Sequence, residues 1–137
     1  MKDEKLKLLV DIKKEYIILE QKWYKNTTDY LVVQKDEFSS VKIMTNGNIP
    51  NTAFIADFYV DEYLRNRGFG HKLMEQALKI CRVYDLHTIY LQVARKNKLA
   101  IHLYKSFGFK EIKPDDLNIL TGPDLYDDYL SMKYIIK

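Results

Sequence analysis

Gly68 and Gly70 are the residues best suited to chemistry, set in the segment Arg65-Asn66-Arg67-Gly68-Phe69-Gly70. Glycine lacks a Cβ, so backbone N–H groups beside it can approach a ligand closely. The segment follows an apolar run, Ala53 to Val60. It precedes Phe69, Leu73, Ala77, Leu78, Cys81 and Tyr84, which recur at helical spacing. A helix starting here adds unsatisfied N–H groups and the positive end of its dipole. Arg65 and Arg67 add fixed charge and bidentate donors. The combination suits a phosphate or pyrophosphate. It also suits a turn that holds glycines for geometry alone. Leu73 stands where a dinucleotide fingerprint needs its third glycine, and no Gly-Lys-Ser/Thr follows as in a P-loop.

The elements that must position this turn can be read from periodicity. Leu9, Ile12, Tyr16, Leu19 and Trp23 recur at three- and four-residue steps, which predicts an amphipathic helix over roughly residues 4–25; Leu6 to Val10 also fits a short strand. Strands are expected over Tyr30 to Gln34, Val41 to Met44 and Ala53 to Val60, with Asn46-Gly47 as a turn. After the helix that follows Gly70 come a strand over Thr88 to Val93 and a short helix over residues 97–106. Strands over Phe109 to Ile112 and Tyr129 to Ile136 close the chain. Pro114 to Asp128 reads as one long loop. Alternating strands and helices imply a mixed α/β sheet in a single domain, residues 1–137.

Two further segments carry the argument beyond an anion turn. Arg65-x-x-Gly68-x-Gly70, after a strand ending at Val60, resembles the coenzyme A signature of the GNAT superfamily of N-acetyltransferases, Gln/Arg-x-x-Gly-x-Gly/Ala. Asn97-x-x-Ala100-x-x-Leu103-Tyr104-x-x-x-Gly108-Phe109 resembles the second signature of that family. The resemblance covers roughly residues 29–137. It implies an acyl-CoA N-acyltransferase-like fold: a mixed, mostly antiparallel central sheet flanked by helices, with a shortened N-terminal region.

The resemblance also implies acetyl-CoA as acyl donor and a primary amine as acceptor, on a small molecule or on a protein. Its pyrophosphate would lie on the backbone of Asn66, Arg67, Gly68, Phe69 and Gly70, with the Arg65 side chain nearby. The pantetheine arm would run along Phe58, Tyr59 and Val60, in a slot left where the strand carrying Ile89 to Val93 splays away. Tyr104 would be the acid for the departing thiolate; packing alone is its other reading. A phenol near pKa 10 stays protonated at neutral pH, whereas a thiol has a reference value of about 8.5. Asn97 would touch the cofactor or a water, or cap its helix. Lys98, with Arg95, Lys96 and Lys105, could meet the 3′-phosphate or simply be solvated.

An amine of pKa about 10.4 is only roughly a thousandth neutral near pH 7, so a base is needed. Some family members use a glutamate on the strand before the turn. Here that strand contains only Asp57, which alternation places opposite Phe54, Ala56 and Phe58 unless a bulge intervenes. The missing glutamate sustains an alternative, a non-catalytic acyl-CoA-binding sensor or regulatory module. A nucleotide binder unrelated to coenzyme A is a second rival.

Bulk properties set the limits. A net charge of +3 over 137 residues gives no reason to expect a nucleic-acid partner. The single cysteine, Cys81, excludes an internal disulfide and reads as a core thiol. His71, His87 and His102 lack metal-ligand spacing, so no metal is expected. The Met1 to Lys5 segment has no apolar h-region, and no apolar run approaches the ~18 residues of a membrane span. A cytoplasmic protein is expected. The acidic stretch Asp115, Asp116, Asp124, Asp127 and Asp128 would attract a cationic amine or be solvated. Tyr129 to Ile136 is expected as an edge strand able to pair with another chain in a homodimer.

Overall fold

A computed structural model describes residues 2–23, 26–35, 39–61, 68–113 and 128–136. Arg65, Asn66 and Arg67 lie outside these residues, as does the acidic stretch except for Asp128.

The helix expected over residues 4–25 divides into α1 (Lys2–Glu15) and β1 (Tyr16–Lys22). Ile17 and Ile18 are β-branched and stiff at χ1, which favours the pleated form. All of β1 pairs antiparallel with β2 (Thr27–Gln34), from Tyr16 opposite Gln34 to Lys22 opposite Thr28. Just beyond the last pair, Trp23 N–H donates to the Thr27 carbonyl. β3 (Ser39–Asn46) and β4 (Thr52–Val60) follow, joined at the expected Asn46-Gly47 turn. Then come α2 (Phe69–Val83), β5 (Thr88–Ala94), α3 (Lys98–Phe107), β6 (Lys110–Ile112) and β7 (Tyr129–Ile135).

The described strands form one seven-stranded sheet in the order β1-β2-β3-β4-β5-β7-β6. Every pair is antiparallel except β4 with β5. β7 therefore lies inside the sheet, between β5 and β6, and the edges are β1 and β6. This corrects the expectation that Tyr129 to Ile136 forms an edge: β5 pairs with one side of it and β6 with Ser131 to Lys133 on the other.

Cross-strand register defines the two faces. Val32 lies opposite Val41, Ile43 opposite Ile55, Ile55 opposite Leu91, and Leu91 opposite Met132. All six are buried, and this face carries the core. α2 covers it with Leu73, Met74, Ala77, Ile80 and Cys81, all fully buried. β4-α2-β5 and β5-α3-β6 are both parallel crossovers advancing in one direction across the sheet. The right-handed rule therefore places α2 and α3 on the same face. Ring contacts agree: Tyr30 stacks on Tyr84 at 4.5 Å, and Phe109 meets Tyr134 at 5.3 Å. α1 packs on α2, with ion pairs from Lys5 to Asp85 and from Lys72 to Glu15. Among the described residues no helix covers the opposite face, where Ile17, Leu19, Met44 and Ile135 are exposed.

Cys81 is buried on the inner face of α2, and burial pushes its thiol up to about 12. No described helix is long and apolar enough to cross a membrane. No group of metal-ligating side chains occurs among the described residues.

Candidate active site

The site forms where β4 and β5 part. They pair from Thr52 opposite Thr88 to Ile55 opposite Leu91, and no ladder pair continues beyond. Ala56 to Val60 and Gln92 to Ala94 therefore diverge, opening a notch in the middle of the sheet. A cavity of about 340 Å³ opens on the β4 side of it, lined by Phe58, Tyr59, Val60, Gly70, Asn97, Leu99, Ala100 and Leu103. Five of these belong to the residues singled out from the sequence. Leu99, Ala100 and Leu103 supply the remaining wall. Ala100 and Leu103 stand at helical spacing in the sequence, but Leu99 and the apolar wall that the three make need the fold.

A β-bulge shapes one wall. Ser40 pairs with Tyr59 and Lys42 with Ala56, so Asp57 and Phe58 together oppose Val41. Asp57 takes a positive φ of 51°. The extra residue reverses the alternation above it. Phe58 and Val60 turn to the helix face, where Phe58 meets Tyr104 and Val60 is buried. Asp57 turns toward Lys42, with Oδ2 3.7 Å from Nζ. Simple alternation is thus corrected: Asp57 shares the uncovered face with Ala56 and Phe54, and Phe58 stands on the other side. The Asp57 side chain is 75% exposed.

The other wall is a helix terminus. Gly68 caps α2 with φ 81° and offers no side-chain acceptor to the first turn. Lys72 N–H closes the first helical bond on the Gly68 carbonyl, so the N–H groups of Phe69, Gly70 and His71 have no intrahelical acceptor. No acidic side chain stands in this turn. The terminus thus presents donors outside the helical bonding and a positive dipole end to the notch. A Cβ on Gly70 would come 3.5 Å from Leu103 Cδ2 and 3.8 Å from Val60 Cγ2, at the cavity wall.

Asn97 caps α3: its Oδ1 accepts from Ala100 N–H at 3.2 Å. The cap reading therefore holds. Asn97 also lines the cavity, where it has its amide N–H groups to offer. Tyr104 is buried about two turns further along, edge-on to Phe58 at 5.9 Å and to Phe109 at 6.0 Å between ring centres. It stands behind Phe58 rather than in the cavity wall. Burial pushes its phenol up to about 12, so it stays protonated throughout the neutral range. Gly108 ends α3 at φ 109°, where a Cβ would come 2.9 Å from the Tyr134 ring. This turn seats Phe109 beneath Tyr104.

Arg95, Lys96 and Lys98 are exposed and do not line the cavity. Arg95 lies 3.9 Å from Glu111. His71 sits on the surface against Phe107 and near Glu75, away from the cavity lining.

Comparison with known proteins fits this geometry. Residues 10–109 match the family described as Acetyltransferase (GNAT) family. The chain belongs to the GNAT acetyltransferase family. An N-alpha-acetyltransferase of Sulfurisphaera tokodaii is 36% identical over 73 residues, 53% of this chain and 44% of that protein. This GNAT chain spans about half the length of the curated relatives it matches. Its fold superposes on a GNAT acetyltransferase from Staphylococcus aureus with a TM-score of 0.65 at 23% identity, covering 94% of this chain and 76% of the other. A Bacillus subtilis acetyltransferase in complex with CoA gives 0.59 at 19% identity, covering 83% and 80%.

Proposed function

We propose that the protein is an acetyl-CoA-dependent N-acetyltransferase that acts directly on a primary amine. The observation that carries this reading is the notch between β4 and β5, with the uncapped start of α2 at its mouth. A pantetheine arm would run along the unzipped stretch of β4, Phe58 to Val60, and place its thioester beside the bulge. The pyrophosphate would take the backbone donors of Gly68, Phe69 and Gly70. Arg65, Asn66, Arg67 and Lys98 complete the assigned cofactor contacts. The CoA-bound relative with the same fold supports this choice of ligand.

The amine would enter from the uncovered face, because helices occupy the other. Its nitrogen attacks the thioester carbonyl carbon, a tetrahedral intermediate forms, and the C–S bond breaks. The amine's extra proton goes to Asp57, directly or through water. The departing thiolate takes a proton from Tyr104. The products are an N-acetyl amine and free coenzyme A. Asp57 stands on the entry face at the bulge, which supports its role as base; burial keeps Tyr104 protonated, while making it a weaker acid toward a thiolate of about 8.5. The N-alpha-acetyltransferase relative makes protein or peptide N-termini the first acceptors to try.

A thiol-release assay with acetyl-CoA and a panel of peptides, polyamines and small amines, beside calorimetric titration, tests the proposal. Saturable release dependent on an amine is expected. Tight acetyl-CoA binding with no release on any amine would establish the sensor alternative instead. Absence of acetyl-CoA binding would overturn both.

A further inference from the structure

A second cavity lies on the uncovered face, away from the notch. Its volume is about 440 Å³, and its walls include Trp23, Asp29, Met44, Ile49 and Phe54. The register explains why these residues meet. Gln21 lies opposite Asp29, Asp29 opposite Met44, and Met44 opposite Phe54, so one rung of four strands forms the floor. Trp23 follows the end of β1 and stands over that rung. Its indole Nε1–H donates to Asp29 Oδ2 at 2.8 Å. The size falls within the ordinary range of small-molecule sites, roughly 300–1,000 Å³, and so does the mix of apolar wall with few polar groups.

The charge in this cavity is specific. Among the described residues that line the cavity, Asp29 is the only ionisable one; the others are apolar or neutral, such as Thr27, Thr45, Asn46 and Thr52. No lysine or arginine of the described residues forms an ion pair with Asp29. The indole bond engages Oδ2 and fixes the carboxylate beside an aromatic face. A half-buried carboxylate next to an indole ring, a thioether and a phenyl ring is chemistry that recognises an organic cation. An anion would meet Asp29 head-on. A wholly apolar ligand would leave the carboxylate desolvated and uncompensated.

We propose that this cavity binds an organic ammonium ion with an apolar body, at a site separate from the acyl-transfer notch. The ammonium lies against Asp29 and the Trp23 face, and the body lies on Met44, Ile49 and Phe54.

Trp23 is the sole tryptophan of the chain, so indole fluorescence, excited beyond the absorption of the tyrosines, reports on this cavity alone. The test titrates the full chain with phenethyltrimethylammonium chloride, which has no N–H and cannot be acetylated. Neutral 2-phenylethanol, and sodium chloride at matched ionic strength, serve as controls. A saturable change with the ammonium and none with the controls is expected. Asp29→Asn should weaken it by about tenfold, the size of a lost partly desolvated cation contact. Met44→Lys, at a surface-accessible position, should abolish it while the melting temperature holds. Gly68→Val should leave it unchanged. Equal response to 2-phenylethanol, an unaltered titration in Asp29→Asn, or no saturable response would overturn the proposal. The readout is independent of turnover, so failure here leaves the transfer reading intact, and the reverse also holds.

Discussion

The two halves of β4 have opposite tasks. From Thr52 to Ile55 the strand is zipped to β5, and Ala53 and Ile55 are buried in the core. From Ala56 to Val60 it leaves β5, carries a bulge and exposes Tyr59. One strand therefore anchors the fold at its start and opens it at its end. The boundary is a single inserted residue, Asp57. Stability and ligand contact are separated along one strand, so mutations on either side of the boundary should affect different observables.

The largest expected effect is on stability. Ile55→Ala should cost about 2–4 kcal/mol in a urea titration, as core truncations do, whereas Tyr59→Ala should stay within about 0.5 kcal/mol. Equal losses would erase the division. Next, Gly68→Val should weaken acetyl-CoA binding by roughly a hundredfold, equivalent to about 2.7 kcal/mol. The fold should survive, because a Cβ there meets nothing within 4 Å among the described residues, leaving mainly the left-handed backbone penalty of about 1–2 kcal/mol. Calorimetry together with a melting curve checks both halves of this expectation; retained affinity would remove the phosphate-turn assignment.

Tyr104→Phe should lower turnover by about ten- to a hundredfold with little change in acetyl-CoA affinity. Because burial holds the phenol near 12, that loss should be the same at pH 7 and pH 9. Unchanged turnover at both would leave Tyr104 with packing alone. Asp57→Asn should have the smallest kinetic effect, about tenfold at pH 7. The deficit should shrink as pH rises toward the amine's own value of about 10.4, where the acceptor loses its proton unaided. A deficit independent of pH would make Asp57 a positioning group.

Stability sets the upper limit of such profiles. Tyr16, Tyr30 and Tyr104 are all pushed up to about 12 by burial. Their folded values exceed the unfolded value near 10, so their contribution is complete below pH 10 and is lost as pH rises toward 12. The Cys81 thiol adds the same effect from about pH 9 upward, so a fall in melting temperature is expected to begin there and to steepen above about pH 10.

Much of this was legible in the sequence, for local reasons. The helix after Gly70, the Asn97 cap and the order of elements depend on neighbours a few residues apart. What was not legible depends on distant partners. Leu9 to Trp23 satisfies a helical period, yet β2 draws Tyr16 to Lys22 into the sheet. Chain order makes β7 look like an edge, but it inserts between β5 and β6. The bulge has no glycine to announce it; Asp57 takes the positive φ itself, so the exchange of faces by Asp57 and Phe58 emerges only from pairing with β3.

The buried thiol of Cys81 has a practical consequence at the bench. It is the only cysteine, it is 0% exposed, and its ionisation lies far above neutral pH. Disulfide-exchange reagents need an accessible thiolate, so the folded protein should be silent toward them. A colour change in the assay would then report released coenzyme A with no background from the catalyst. A slow drift without substrate would signal unfolding, giving each activity measurement a built-in integrity check.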